Sequence, residues 1–180
     1  MDPVLRIGYV PGVAPDRFAR RWKGVHRGAR LEFVAVASSR QREALDSGEV
    51  DMCFVRLPIQ EDGLHRVLLW EERPVVVISR DHVLSAVEEV TEDDLAEETE
   101  IPARHPDDAA DRIATAATGV GFTRVPMSLA RLHHDKDRTA RPIRDAEPTQ
   151  IALVWPREDD DDLRQTFVGV VRGRTPRSSR

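Results

Sequence analysis

The chain of 180 residues has a single cysteine, Cys53, so no intramolecular disulfide can form and a reducing compartment fits. Cys53 lies in an apolar, strand-like segment and reads as a small buried hydrophobe rather than a reactive thiol. No apolar run approaches the roughly 18 residues a membrane span needs. Nor does a charged segment lead into an apolar stretch with a small-residue cleavage site. The expectation is a cytoplasmic protein with no membrane partner. Lysine is nearly missing, with Lys23 and Lys136 the only two among 27 cations. GC-rich coding accounts for that bias more simply than selection for bidentate anion contacts. The formal net charge is -5, with acid concentrated at 88–100 and 158–162, which predicts no basic face broad enough for direct binding to duplex DNA.

Catalytic and metal patterns are also missing. Ser85 and Ser128 stand in no G-x-S-x-G elbow. His133-His134-Asp135 invites a metal reading, yet adjacent histidines on a helix point about 100° apart, and a solvated helix end is the better account. The acids at 158–162 lack the alternating ligands and glycine of a calcium loop and read as a turn before a helix. No enzyme, metal or cofactor is predicted.

What is present is an alternation of strands and helices. Residues 4–10 form an apolar, β-branched run ended by Pro11-Gly12. Pro15 then suits a helix start, with Phe18, Ala19, Trp22 and Val25 at helical spacing. Residues 31–37 predict a second strand. Ser38 with Gln41 reads as a capping box opening a short helix that Gly48 closes. Residues 50–55 are too continuously apolar to face water on one side. Strands are further predicted at 64–70, 74–78, 120–125 and 151–155, and helices at 109–118, 126–132 and 163–172. Thr91 with Asp94 forms another capping box. Residues 101–108 and 133–150 read as loops, and 173–180 as a frayed tail.

Five phrases occur in a fixed order: LRIGYV at 5–10, ALDSGEVDMCFVRLP at 44–58, ERPVVVISRDHVL at 72–84, GVGFTRVPMSLARL at 119–132 and IALVWPRE at 151–158. Together they resemble the effector-binding half of a LysR-type transcriptional regulator. The resemblance implies an α/β fold of two Rossmann-like lobes, type 2 periplasmic-binding-protein-like, with the chain crossing between lobes twice. Lobe one would be 4–73 plus 143–172, and lobe two 74–142. Two departures stand out. Fewer residues separate the Thr91 helix from the GVGF phrase than the family usually has, so lobe two is shortened. The helix-turn-helix of a full regulator has no counterpart, because the first strand begins within a few residues of Met1.

Such a domain would bind a small-molecule effector, anionic in character, between its lobes. It would act on a regulatory protein partner or on a second copy in a homodimer. The alternative is an interaction module whose ligand cleft has degenerated. Ligands of parallel sheets lie beyond the carboxyl ends of the strands, which selects several positions. Val13 and Ala14 present backbone N–H groups after the first strand. Ser38 and Ser39 follow the second, as ligand contacts or, for Ser38, as a helix cap. Arg56 follows the third, to pair an anion or to face solvent. In lobe two the resemblance selects Gly121 and Phe122, the ring serving as an apolar wall or as core.

Overall fold

The computed structural model describes residues 2–173; the tail beyond Gly173 lies outside the described residues. The chain divides into two compact units, the first built from residues 2–70 and 150–173 and the second from Glu71–Thr149. The crossings thus fall at 70/71 and 149/150, whereas the sequence reading put them at 73/74 and 142/143.

In unit one, alternating side chains serve two faces of one sheet. β1 (Val4–Tyr9), α1 (Asp16–Val25), β2 (Arg30–Ala35), α2 (Gln41–Asp46) and β3 (Met52–Arg56) follow in sequence, then β4 (Leu64–Glu72). The chain returns with β8 (Thr149–Pro156) and α6 (Asp162–Val171). The strand order is β2-β1-β3-β8-β4. β1 is parallel to β2 and β3, as the strand-helix alternation predicts, and β8 runs antiparallel to β3. Along β3, Met52 and Phe54 join a layer with Leu5, Ile7, Phe18, Trp22 and Phe167, whereas Cys53 and Val55 join Val36, Leu45, Val50 and Val154 in another. Two-sided burial is why this strand reads as a continuous apolar run. Gly8 completes the second layer: a Cβ there would lie 2.9 Å from Cys53 Sγ and 3.1 Å from Val36 and Val50.

Unit two comprises β5 (Pro74–Ser79), α3 (Glu92–Leu95), α4 (Ala109–Ala117), β6 (Thr123–Pro126), α5 (Met127–Leu132) and β7 (Arg138–Pro142). Its sheet is β6-β5-β7, with both neighbours antiparallel to β5. Parallel pairing survives only as isolated bridges, Val90 with Ile143 and Glu100 with Phe122. Central β5 again feeds two layers: Val75 and Val77 pack with Ile113, Val125 and Leu129, while Val76 and Ile78 pack with Val90, Leu95, Phe122 and Ile143.

Three local expectations need correction. β7 lies where the sequence reads as loop; an edge strand of arginines ending in proline shows no apolar alternation, and the edge is where sheets tolerate proline. The strand expected from Val120 begins at Thr123. Ser38 is not a capping-box residue. It opens a short 3-10 turn, Ser38–Arg40, before α2, and neither this turn nor α2 has a side-chain cap. Thr91, by contrast, is capped as predicted: its hydroxyl accepts from Asp94 N–H at 3.2 Å, and Asp94 accepts from Thr91 N–H at 2.8 Å.

Candidate functional site

The carboxyl ends of β1, β2 and β3 are tied together by a small set of polar contacts. Gln41 turns its carboxamide to the end of β3, accepting from Arg56 N–H at 2.6 Å and donating to Arg56 C=O at 3.3 Å. Both backbone groups of Arg56 are thereby held by one side chain, which is why Gln41 does not close a box with Ser38. The Arg56 guanidinium, half-buried, donates from Nη2 to the Pro11 carbonyl at 3.0 Å, linking the end of β3 to the turn after β1. Val10 N–H reaches Phe54 C=O at 3.2 Å, and Val36 N–H reaches Tyr9 C=O at 2.9 Å.

Ser38 is half-buried and Ser39 exposed in the turn leaving β2. Ala14 is exposed as well. Val13 departs from expectation: its N–H donates to Val10 C=O at 3.2 Å, and its side chain is buried, so its amide closes the turn rather than facing a ligand. Cys53, just inside β3, is fully buried, and burial, aided by Glu49, pushes its thiol up to about 12. It is therefore a neutral thiol at physiological pH and no nucleophile.

Gly121 and Phe122 belong to unit two. Phe122 N–H donates to Thr99 C=O at 2.9 Å, and Ile101 N–H donates to Phe122 C=O at 2.7 Å. A Cβ on Gly121 would lie 2.1 Å from that same Thr99 oxygen, so the residue must be glycine for this crossing to form. The Phe122 ring is 2% exposed, packed in the core around Val76, Ile78 and Ile143, with the Arg124 guanidinium 5.4 Å from its centroid.

Unit two also holds polar ties that sequence reasoning missed. Ser128, at the start of α5, donates to the buried carboxylate of Glu72. Arg112 on α4 donates to Asp108 Oδ1 at 2.7 Å, to Arg124 C=O at 3.0 Å and to the hydroxyl of fully buried Thr123, which itself donates to Ile101 C=O at 2.9 Å. Partial burial works to raise the Asp108 carboxyl. It is outweighed by the N–H groups of Arg104 and His105 and by the Arg112 guanidinium, which hold it down to about 2. The acids at 158–162 prove structural in part: Asp161 caps α6 through Arg164 N–H at 2.8 Å, and Asp160 accepts from Trp155 Nε1 at 3.0 Å. Among the described residues, no group of three or more histidine, cysteine or acidic side chains is placed to hold a metal ion, and no helix is long and apolar enough to cross a membrane.

This architecture matches solved effector-binding domains. The effector-binding domain of BenM, solved with its effector benzoate, superposes with a TM-score of 0.77 at 21% identity, covering 97% of this chain and 96% of that one. The reduced form of the OxyR regulatory domain from Pseudomonas aeruginosa gives 0.71 at 19% identity, covering 96% and 94%. At these identities the likeness speaks to the fold. In sequence, the chain is 31% identical to the HTH-type transcriptional regulator BenM of Acinetobacter baylyi over 93 residues, which is 49% of this chain and 30% of BenM. It is 28% identical to the regulator CatR of Pseudomonas putida over 157 residues, 72% of this chain and 54% of CatR. The chain thus spans only part of the curated regulators it matches. The sequence profile of the LysR substrate binding domain matches residues 2–115, and the chain belongs to that family.

Proposed function

We propose that the chain is a regulatory sensing domain that binds a small carboxylate at the carboxyl ends of β1, β2 and β3. The observation that carries this reading is the placement of Arg56, its backbone held by Gln41 and its guanidinium directed to the turn after β1, beside a turn bearing the Ser38 and Ser39 hydroxyls. A guanidinium fixed by its surroundings binds a carboxylate at lower entropic cost than a free surface arginine. Hydroxyls at the head of the neighbouring turn supply donors of the kind a carboxylate oxygen accepts. Benzoate, the effector of the similar BenM domain, is such a molecule. Binding would act on a second copy or on a regulatory partner by favouring the conformation with the higher ligand affinity. No DNA contact by this domain is required.

The test is thermal stabilisation of the purified chain across a panel of carboxylates, amino acids and aromatic acids, repeated with Arg56→Ala and Ser39→Ala. A concentration-dependent rise in Tm that shrinks in either variant supports the reading. A rise unchanged in both variants sinks the assignment of these residues.

A second reading is an interaction module that has lost its ligand. What favours it is the reduced sheet of unit two, three strands against five in unit one. It predicts no stabilisation by any carboxylate and capture of a defined regulatory protein.

A further inference from the structure

β4 stands at the opposite edge of the unit-one sheet from β2, and among the described residues no strand lies beyond it. An unpaired edge is a row of N–H and C=O groups ready to bond another strand. Among the described residues no hydrogen bond from outside the sheet reaches the backbone of 65–69. The side-chain bonds that hold the ends of the strand, from Gln150 Nε2 to Trp70 C=O at 2.9 Å and from Arg157 Nε to Leu64 C=O at 3.0 Å, come from β8 and the residue after it. Edge strands are commonly blunted by proline, by charge or by short length. In unit two both edge strands end in proline, Pro126 and Pro142. β4 has nine residues and no proline, and Leu68 near its middle is 52% exposed.

The strand is also self-complementary. His65-Arg66-Val67-Leu68-Leu69-Trp70-Glu71-Glu72 runs from two basic residues through four apolar ones to two acids. Of the charged ends, His65 lies against Trp155, with ring centroids 5.2 Å apart, and Glu72 is buried with Ser128, whereas Arg66 and Glu71 are exposed. Glu71 makes no ion pair among the described residues. Arg66 gives only its Nη1 to Glu61, at 2.6 and 2.8 Å, so Nε and Nη2 remain for a second carboxylate. A second copy of the strand turned about a two-fold axis at Leu68 brings its Glu71 alongside Arg66, and each copy gives and receives the same contact. Opposite charges on neighbouring strands favour pairing and like charges oppose it. A parallel arrangement would set Arg66 beside Arg66 and Glu71 beside Glu71.

The basic segment at 173–180 of the same chain is a poor occupant. Arg17, Arg21 and Arg172 line the open surface beside Leu68 and Trp70, with the Arg17 guanidinium 4.4 Å from the centroid of the Trp70 ring, and Arg174, Arg177 and Arg180 would meet like charge there. A second copy instead presents Arg66 already paired with Glu61. We infer that β4 is a docking edge for a second copy of this chain, the two strands adding antiparallel about Leu68 so that two sheets join into one. The inference does not rest on the effector reading, because neither Arg56 nor the turn bearing Ser38 and Ser39 takes part. One strand pair is a contact at the small end of specific interfaces, so the association is weak and grows with concentration.

The experiment uses the full chain with one added cysteine, since Cys53 is buried. Leu68→Cys is treated with a short bis-maleimide over a concentration series, beside the unaltered chain and Val83→Cys, whose position in unit two is 74% exposed. The expected result is a cross-linked dimer of Leu68→Cys in at least tenfold excess over that of Val83→Cys, and none from the unaltered chain. Glu71→Arg added to Leu68→Cys should lower the yield at least threefold, and Arg66→Glu added to both should restore it. Equal yields from cysteines at 68 and 83, or a charge exchange that stays as low as Glu71→Arg alone, overturn the inference. Sedimentation gives a second reading: Leu68→Lys, a change at an exposed position, should weaken self-association at least tenfold. A chain that is monomeric at every concentration, or whose association Leu68→Lys leaves unchanged, also overturns it. No carboxylate ligand enters these measurements, so their failure leaves the proposed effector site standing, and failure of that site leaves this edge standing.

Discussion

The two units solve the same problem with different materials. Unit one contains eight of the nine aromatic residues and joins Phe18, Phe54, Trp22 and Phe167 in a cluster of stacked and edge-on rings. Unit two has only Phe122, and its buried positions are chiefly valine, alanine, isoleucine and leucine. It instead carries 18 of the 32 acids and ten of the 27 cations, many of them paired: Arg112 with Asp108, Arg124 with Glu92 and Glu100, Arg144 and Arg73 with Glu89. A small sheet with small side chains buries little apolar area, so polar geometry has to fix what packing does not. Exposed pairs contribute at most about 1 kcal/mol each. The Asp108–Arg112 pair is different, because both side chains are mostly buried, at 19% and 12% exposed, and reach Thr123 in the interior.

That contrast breaks most sharply at Phe54. Phe54→Ala should cost about 3 to 5 kcal/mol, read by urea unfolding followed through tryptophan fluorescence, since all three tryptophans lie in unit one. A loss below about 1.5 kcal/mol would mean that the ring cluster does not dominate unit one. Arg112→Met should cost about 1 to 3 kcal/mol by removing the guanidinium that Asp108 and Thr123 share, and amide exchange in unit two should quicken while β1 and β3 stay protected. If both units loosen together, the division of labour is wrong. Gly121→Ala should cost about 1 to 3 kcal/mol through overpacking, and more than Gly8→Ala. The first collides with a backbone oxygen at 2.1 Å, the second mainly with side-chain atoms that can yield. Thr91→Ala removes one cap of the short α3 and should lower Tm by the equivalent of about 1 kcal/mol.

The smallest effect per group comes from acid. Hydrogen bonds and ion pairs lower the carboxyls of Glu89, Glu92, Asp94, Asp108 and Asp137, all in unit two, while among the described residues of unit one Asp160 is the one carboxyl so lowered. A carboxyl held down in the fold stabilises above its ordinary value. That contribution disappears as pH falls through the lowered value. Amide protection in unit two should therefore decline between pH 3.8 and about 2, the interval set by Asp108, before that of unit one. Equal decline in both would remove this part of the comparison.

What could be read in advance follows the same division. The central strands of unit one were legible because burial on both faces leaves an unbroken apolar run. β7 was not, since an edge strand need satisfy only one neighbour. Two similar capping patterns make the limit plain. Thr91 with Asp94 closes on itself, whereas Gln41, the first residue of α2, is drawn away from Ser38 by the backbone of Arg56, 15 residues along the chain. Motif spacing records what a side chain can reach, not which of its partners wins. The Glu72–Ser128 contact joins residues 56 apart and left no local signature.

Gln41 also carries an evolutionary consequence. A carboxamide accepts through its oxygen and donates through its nitrogen, two atoms set apart far enough to meet the N–H and the C=O of the same residue, as it does at Arg56. Glutamate keeps the size but loses the donor, and lysine keeps a donor but loses the acceptor. Among descendants of this sequence, drift at position 41 should therefore be slow despite its partial exposure. A lineage that does replace it should carry a compensating change at the end of β3, so the two positions should vary together across the family branch.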